Sequence, residues 1–185
     1  MLLLLTVMTL ALTGCGHKDV SNLSDEAKFL CGSWAYIHEP DKTALKLNDD
    51  LTAKLDGEKY TYEVKDSHIE LTDKSGNTVS YRYLWDEHEN QLFFFKQNVY
   101  TYKGTGTPDG IVGLWECPEQ NYKFEFTSEG TFQEDGYFPG YYVVDEEAGS
   151  FKLIYNDQFY DTTCYFTLNG NELLIEYPWP MVRVK

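Results

Sequence analysis

Gly32-Ser-Trp34 and Gly113-Leu-Trp115 open two similar halves of the chain, roughly 80 positions apart. After each motif come short alternating segments, rich in aromatic residues and separated by Gly, Asn and Asp. The aligned segments are Lys42–Leu47 with Asn121–Phe126, Asp49–Ala53 with Ser128–Phe132, Tyr60–Val64 with Gly140–Val144, His68–Leu71 with Ser150–Leu153, Ser80–Leu84 with Cys164–Leu168, Asn90–Phe94 with Asn171–Ile175, and Val99–Lys103 with Met181–Lys185. Two copies are too few for a solenoid, so the sequence predicts duplicated domains.

The segments within each copy read as short antiparallel strands. Tyr122, Phe124 and Phe126 alternate with polar residues, which is typical of a strand with one buried face. Asn169-Gly170 is a strong signal for a two-residue hairpin, because both central residues of a type I′ turn need positive φ. No long helix is indicated. Each copy therefore offers about seven strands joined by tight turns.

These patterns predict an all-β protein of two tandem small antiparallel up-and-down β-barrels or meanders. Residues 29–103 form the first domain, 104–110 an exposed linker without apolar residues, and 111–185 the second. We expect each copy to fold alone. The alternative is one composite barrel or sandwich built from both repeats.

The chain begins with an apolar run, and residues 1–14 read as an export signal because the run is too short for a membrane span of about 20 residues. Leu12-Thr-Gly-Cys15 resembles the lipobox of bacterial lipoproteins. The resemblance implies that Cys15 is the lipidated first residue of the mature protein, held on the outer face of a bacterial membrane in the cell envelope. Residues 15–28 then form a tether, with a helical turn capped by Ser24.

The charge of the chain limits its partners. Asp and Glu number 30 against 15 Lys and Arg, which gives a net charge of −15. This field disfavours nucleic acid and anionic lipid surfaces, so the lipid on Cys15 is the predicted membrane contact. The remaining partner is an unknown extracellular ligand or protein.

A second resemblance concerns the repeated motif. A G-x-W motif that opens an up-and-down meander is similar to the first strand of lipocalins and their relatives, in which the Trp plugs the closed end of the barrel. The resemblance implies structural roles for Gly32, Trp34, Gly113 and Trp115. It also implies that Arg183 packs on Trp115 through a cation–π contact. The first copy has no Arg at this place, and Lys103 is the nearest basic residue.

Cysteine and histidine give little sign of a disulfide or a metal site. Cys31 and Cys117 precede and follow the two motifs and could face each other; the alternative is that Cys31, Cys117 and Cys164 are separate small buried residues. The four histidines are not paired at metal spacing, and the acidic turns lack the calcium-loop pattern. The sequence predicts no metal or cofactor.

No nucleophile elbow or phosphate loop is present, so we predict a binding protein and not an enzyme. A hydrolase using Asp and Glu and a structural or inhibitory envelope protein remain alternatives. The aromatic residues exceed what alternating inward positions need, and they lie in Phe93–Phe95, Tyr100, Tyr102, Tyr137–Tyr142 and Tyr177–Pro180.

Some of these rings are expected on the surface, where they would bind a peptide, a glycan or a small apolar ligand. Pro139-Gly140 and the prolines beside Trp179 predict loop tips, so the expected ligand site comprises Tyr137, Phe138, Tyr177 and Trp179. The other possibility is that the rings pack between the copies.

Overall fold

The structure is a computed structural model that describes residues 23–156 and 161–184. The predicted export signal, residues 1–14, lies outside the described residues, as do Cys15 and the first part of the tether.

The described residues form one short helix and 14 strands. The elements are α1 (Asp25–Leu30), β1 (Gly32–Tyr36), β2 (Thr43–Leu47), β3 (Thr52–Leu55), β4 (Glu58–Lys65), β5 (His68–Thr72), β6 (Thr78–Asp86), β7 (Gln91–Tyr102), β8 (Gly113–Cys117), β9 (Tyr122–Phe126), β10 (Thr131–Glu134), β11 (Phe138–Asp145), β12 (Ser150–Tyr155), β13 (Thr162–Asn169) and β14 (Glu172–Arg183). Ser24 caps α1 as predicted, because its hydroxyl accepts a hydrogen bond of 3.0 Å from the amide of Ala27. In this part of the chain no helix is long and apolar enough to cross a membrane.

Every strand pairs antiparallel with its neighbours in sequence, and β1 pairs with β14 to close the ring. The prediction of an all-β, up-and-down, lipocalin-like architecture is confirmed. The ring is also pinched in the middle, because β7 and β14 pair with each other from Leu92 opposite Met181 to Thr101 opposite Glu172.

The β7–β14 pairing divides the ring into two barrels that exchange their last strands. Barrel 1 consists of β1 to β6, residues 91–96 of β7 and residues 177–183 of β14. Barrel 2 consists of β8 to β13, residues 97–102 of β7 and residues 172–176 of β14. Each barrel therefore takes half a strand from the other repeat.

Two separate hydrophobic cores follow from this arrangement. The core of barrel 1 is built from the first repeat but includes Met181 from β14. The core of barrel 2 is built from the second repeat but includes Tyr100 from β7. Every second residue along β7 and β14 points to the same face of the ribbon. One half of that face lines the interior of barrel 1, and the other half lines the interior of barrel 2.

The registers relate the two repeats by an approximate two-fold axis, and they correct two of the predicted alignments. Cys164 opposes Phe151 as Tyr81 opposes Ile69, so Cys164 corresponds to Tyr81 and not to Ser80. Likewise Met181 corresponds to Tyr100 and not to Val99, because Leu92 opposes Met181 and Leu173 opposes Tyr100. Each error is one residue, which in a strand exchanges the inner and outer faces.

Candidate binding surfaces

The outer end of each barrel is closed by the tryptophan of its G-x-W motif. Trp34 and Trp115 are fully buried, as the repeat predicts. Their indole Nε1–H groups donate hydrogen bonds of 2.9 and 2.7 Å to the carbonyls of Leu30 and Ile111, four residues earlier. Both rings are thus core plugs whose polar atom is satisfied by the backbone.

Arg183 packs on Trp34, so the predicted partner, Trp115, is wrong. The Arg183 guanidinium carbon lies 4.3 Å from the Trp34 ring centroid, and its Nη1 donates a 2.8 Å hydrogen bond to the carbonyl of Cys31. The end of β14 belongs to barrel 1, and this strand exchange brings Arg183 to the first repeat. Trp115 is covered instead by Tyr102, with ring centroids 5.2 Å apart.

The glycines of both motifs leave room for these covering side chains. Gly32 has φ +136°, and a Cβ there would lie 2.7 Å from Nη1 of Arg183. Gly113 has φ +128°, and a Cβ would lie 2.4 Å from Cε2 of Tyr102. The G-x-W spacing therefore places glycine next to the plug. The missing side chain leaves space for Arg183 in barrel 1 and for Tyr102 in barrel 2.

The inner ends of the barrels, opposite the plugs and here called the mouths, both lie at the middle of the ribbon. Lys96 of β7 opposes Tyr177 of β14 at this point, while the two plugs lie at the far ends of the strands. Tyr177 and Trp179 also contact each other across the two mouths, with ring centroids 6.1 Å apart.

The mouth of barrel 2 contains a hydrogen-bonded chain of side chains. The Tyr155 hydroxyl donates a 2.7 Å hydrogen bond to Oε2 of Glu134, and it lies 3.4 Å from the hydroxyl of Tyr177. Burial raises the pKa of Glu134, partly opposed by the hydrogen bond from Tyr155. Burial also raises the pKa of Tyr177 to about 12. These hydroxyls stay protonated and act as hydrogen-bond donors.

The mouth of barrel 1 is an aromatic and charged cluster. Tyr36 stacks on His38 with centroids 5.6 Å apart and meets Trp179 edge-on at 5.9 Å. The Lys96 ammonium lies 4.9 Å from the centroid of the Tyr36 ring and forms a 2.7 Å ion pair with Asp56. Residues of both repeats thus build this mouth, because Trp179 arrives on the exchanged strand.

The predicted position of Trp179 at a loop tip is wrong. Pro178 and Pro180 lie inside β14, opposite Phe95 and Phe93, and Trp179 packs against the core of barrel 1. The prolines fit because β13 has left β14 by this point and β1 begins to pair with it only at Met181. On that open side, Pro180 contributes only its carbonyl, which accepts a 3.1 Å hydrogen bond from the amide of Ile37.

Tyr137 and Phe138 are exposed, as predicted, but the loop tip predicted at Pro139-Gly140 is wrong, because both residues lie inside β11 and pair with β10. Asp135 and Gly136 both have positive φ, which makes a tight hairpin turn between β10 and β11. This turn leaves Tyr137 80% exposed and Phe138 40% exposed at the rim of barrel 2. Of the four predicted ligand residues, Tyr137 and Phe138 are thus exposed at this hairpin, whereas Tyr177 and Trp179 are half-buried within β14.

An open groove of about 350 Å³ runs across the outer wall of barrel 2 beside this hairpin. We call it the outer groove, and its lining residues are Glu125, Thr127, Thr131, Phe132, Gln133, Pro139, Gly140, Tyr141 and Asn156. Glu125 opposes Gln133 and Gln133 opposes Pro139, so neighbouring outward positions of three strands form it. Gly136 lines a smaller groove of about 120 Å³ that shares Glu125 and Gln133.

The remaining aromatic residues are divided between core and surface. Phe94, Phe95 and Tyr100 are buried, whereas Tyr141 is 56% exposed beside the groove. The three described cysteines are free, and Cys31 contacts the Tyr62 hydroxyl at 3.3 Å. No group of three or more potential metal ligands occurs among residues 23–156 and 161–184.

Sequence reasoning missed Lys96 and Tyr36 as site residues. Lys96 carried a usable signal, because it is a charge at an inward-facing position directly after three phenylalanines. Tyr36 carried none, since an inward tyrosine two residues after Trp34 is ordinary core sequence.

Comparison with known proteins adds no relative. The chain matches no protein-family model, no curated protein and no solved structure. The class of this protein is therefore defined by the architecture described above: it is an antiparallel β protein of two closed, strand-exchanged barrels.

Proposed function

We propose that this protein is an exported binding protein of the bacterial cell envelope, anchored by a lipid on Cys15 and without catalytic activity. It binds an uncharged glycan in the outer groove of barrel 2. The carrying observation is the position of this groove between the exposed ring of Tyr141 and the amide and hydroxyl side chains of Gln133, Asn156 and Thr131.

The chemistry of the groove favours a neutral polyhydroxylated ligand. Tyr141 offers a flat apolar face for a sugar ring, and Gln133 and Asn156 can donate and accept hydrogen bonds. Glu125 is the charged side chain among the groove's lining residues, and the net charge of −15 repels acidic glycans. A peptide or a small apolar molecule would use fewer of these polar groups.

A role in binding agrees with the absence of a reactive pair among the lining residues. The Thr127 and Thr131 hydroxyls lie 2.7 Å apart and bond to each other, without a neighbouring base to activate either. The buried carboxyl of Glu134 faces the barrel interior, on the other side of β10 from Gln133.

The ligand is tested with an array of neutral, acidic and basic glycans and a parallel array of peptides, using the full mature chain. Tyr141→Ala should weaken glycan binding about tenfold or more, whereas Val143→Ala should not change it. Val143 is the matched control because it is also exposed on β11 but does not line the groove. Equal binding by wild type and Tyr141→Ala, or binding to peptides alone, would overturn the proposal.

The anchor is tested separately by metabolic labelling with a fatty acid in a bacterial host. The wild type and Cys31→Ala should be labelled, and Cys15→Ala should not. Equal labelling of Cys15→Ala would show that the lipid, if any, is attached elsewhere.

A further inference from the structure

Two donors buried in the mouth of barrel 1 have no acceptor for their protons. Nε1 of Trp179 has no hydrogen-bond partner, and the hydroxyl of Tyr36, a residue 9% exposed, lies beside the Lys96 ammonium, which can donate a hydrogen bond but cannot accept one. A buried donor without an acceptor destabilises the folded state, so such atoms call for an explanation.

The two plugs show how this fold treats a structural tryptophan. The indole N–H groups of Trp34 and Trp115 both reach a backbone carbonyl. The indole N–H of Trp179, in contrast, is buried and unpaired. Pairing of this N–H within the protein therefore does not explain how the Trp179 ring is oriented.

The corresponding positions of barrel 2 show that the unpaired donors are not a requirement of the fold. The registers make Cys117 the counterpart of Tyr36 and Asn98 the counterpart of Trp179. In barrel 2 the polar groups at the mouth, Glu134, Tyr155 and Tyr177, are joined by hydrogen bonds instead. Among the described residues, unpaired buried donors therefore occur at the mouth of barrel 1 and not at that of barrel 2.

We propose that the mouth of barrel 1 binds a small uncharged molecule through an acceptor oxygen, which takes the hydrogen bonds of Trp179 and Tyr36. This site is separate from the outer groove and does not depend on the proposed function. Its walls are the rings of Tyr36, His38 and Trp179, which suit a compact apolar body.

The charges around the site select against ions. A cation would meet the Lys96 ammonium, and the indole N–H can only donate. An anion would find that Lys96 is already paired with Asp56 at 2.7 Å, and it would enter against the net negative charge. A carbonyl or hydroxyl oxygen on a neutral molecule satisfies both donors without leaving a buried charge.

The test follows the indole N–H signals of the full ¹⁵N-labelled chain by NMR. Benzamide, cyclohexanol and N-acetylglucosamine serve as neutral probes, and benzoate and benzylammonium as charged counterparts. Loss of one signal in Trp179→Phe assigns that residue. Trp34 and Trp115 are internal controls, because their N–H groups are already bonded to carbonyls.

At least one neutral probe should shift the Trp179 signal with saturation, while Trp34 and Trp115 stay in place. Tyr36→Phe should weaken this binding about tenfold, because it removes one of the two donors. Tyr141→Ala, at the outer groove, should have no effect. If no neutral probe shifts Trp179, if a charged probe binds better, or if the Trp179 N–H proves to be held by water that no probe displaces, the proposal falls.

Discussion

Lys96 and Tyr177 lie directly opposite each other in the β7–β14 ladder, and each is the counterpart of the other in the internal repeat. The approximate two-fold axis passes between them. On one side of this pair the two strands enclose barrel 1, and on the other side they enclose barrel 2. The exchange of strands, the position of both mouths and the contact between Trp179 and Tyr36 all follow from this register.

Arg183 should stabilise barrel 1 and not the repeat to which it belongs. Arg183→Met removes the cation–π contact and the hydrogen bonds to backbone carbonyls, and we expect it to lower the free energy of unfolding by about 1–2 kcal/mol. The expected loss is modest because Arg183 is exposed. Arg183→Lys keeps the charge and should cost less. Urea unfolding gives the energies, and the indole NMR signal of Trp34 should shift while that of Trp115 does not. A shift of Trp115 alone would contradict the strand exchange.

Gly113 should be intolerant of any side chain for two separable reasons. Gly113→Ala introduces a Cβ 2.4 Å from Tyr102 and retains φ +128°, and we expect a loss of about 2–4 kcal/mol. In a Tyr102→Ala background the steric part should disappear and a backbone strain of about 1–3 kcal/mol should remain. Gly170→Ala is the control, since its φ is +59° and nothing lies within 4 Å. If the losses caused by Gly113→Ala and Tyr102→Ala simply add in the double variant, contact with Tyr102 is not the reason that position 113 requires glycine.

The two repeats should complete each other in solution. The sequence suggested that each folds alone, but the structure gives the core of barrel 1 a residue from the second repeat, Met181. Residues 29–104 and 110–185, expressed apart and then mixed, should form a 1:1 complex with the circular dichroism of the full chain. A second fragment that ends at residue 177 should still bind through barrel 2, but it leaves barrel 1 incomplete and should not restore the circular dichroism of the full chain. Two separate monomers, each with a cooperative melt and no mutual binding, would mean that each long strand folds back into its own barrel.

Glu134 should make the protein less stable as the pH rises. Burial holds the folded pKa of Glu134 above the ordinary value of 4.5, so the stabilising effect of its protonation is complete below pH 4.5 and is lost as the pH rises through the folded pKa. Glu134→Gln should therefore raise the free energy of unfolding at pH 7 and have little effect near pH 4. Glu125→Gln, an exposed carboxylate on the neighbouring strand, serves as control. Urea unfolding across this range checks the sign, and a difference that does not change with pH would contradict it.

The sequence predicted the local structure well because alternation and turn residues act over a few positions. The capped turn at Ser24 and the buried tryptophans follow from such short patterns. The hairpin between β13 and β14 is present, but its loop is Gly170-Asn171 and only Gly170 has positive φ, so the type I′ turn predicted at Asn169-Gly170 is wrong. The exchange of strands could not be read in this way. The alternation of inward and outward residues in β7 and β14 is the same whether a strand stays in its own barrel or enters the other. The sequence therefore does not indicate that Leu92 and Tyr100 belong to different cores.

The candidate site was only partly predictable for a related reason. Proline chemistry correctly excluded Trp179 from a strand paired on both sides. It could not show that β14 has an open side at that point, so a loop was predicted in place of a strand. Tyr137 and Phe138 are exposed by a hairpin turn at Asp135-Gly136, whereas the turn predicted from Pro139-Gly140 lies inside β11. Tyr36 and Lys96 become neighbours of Trp179 only through a ladder between residues far apart in the chain.

Because of the exchanged strands, the two barrels do not close in the order in which they are synthesised. Barrel 1 is encoded first, yet its wall is incomplete until Arg183 lies beside Trp34, almost at the end of the chain. Barrel 2 needs β7, which is made before its own first strand, and it can close as soon as residue 177 is available. A ribosome that releases this chain from its N-terminus therefore delivers barrel 1 open until residue 183 has emerged. The half of the protein that emerges first is the half that folds last.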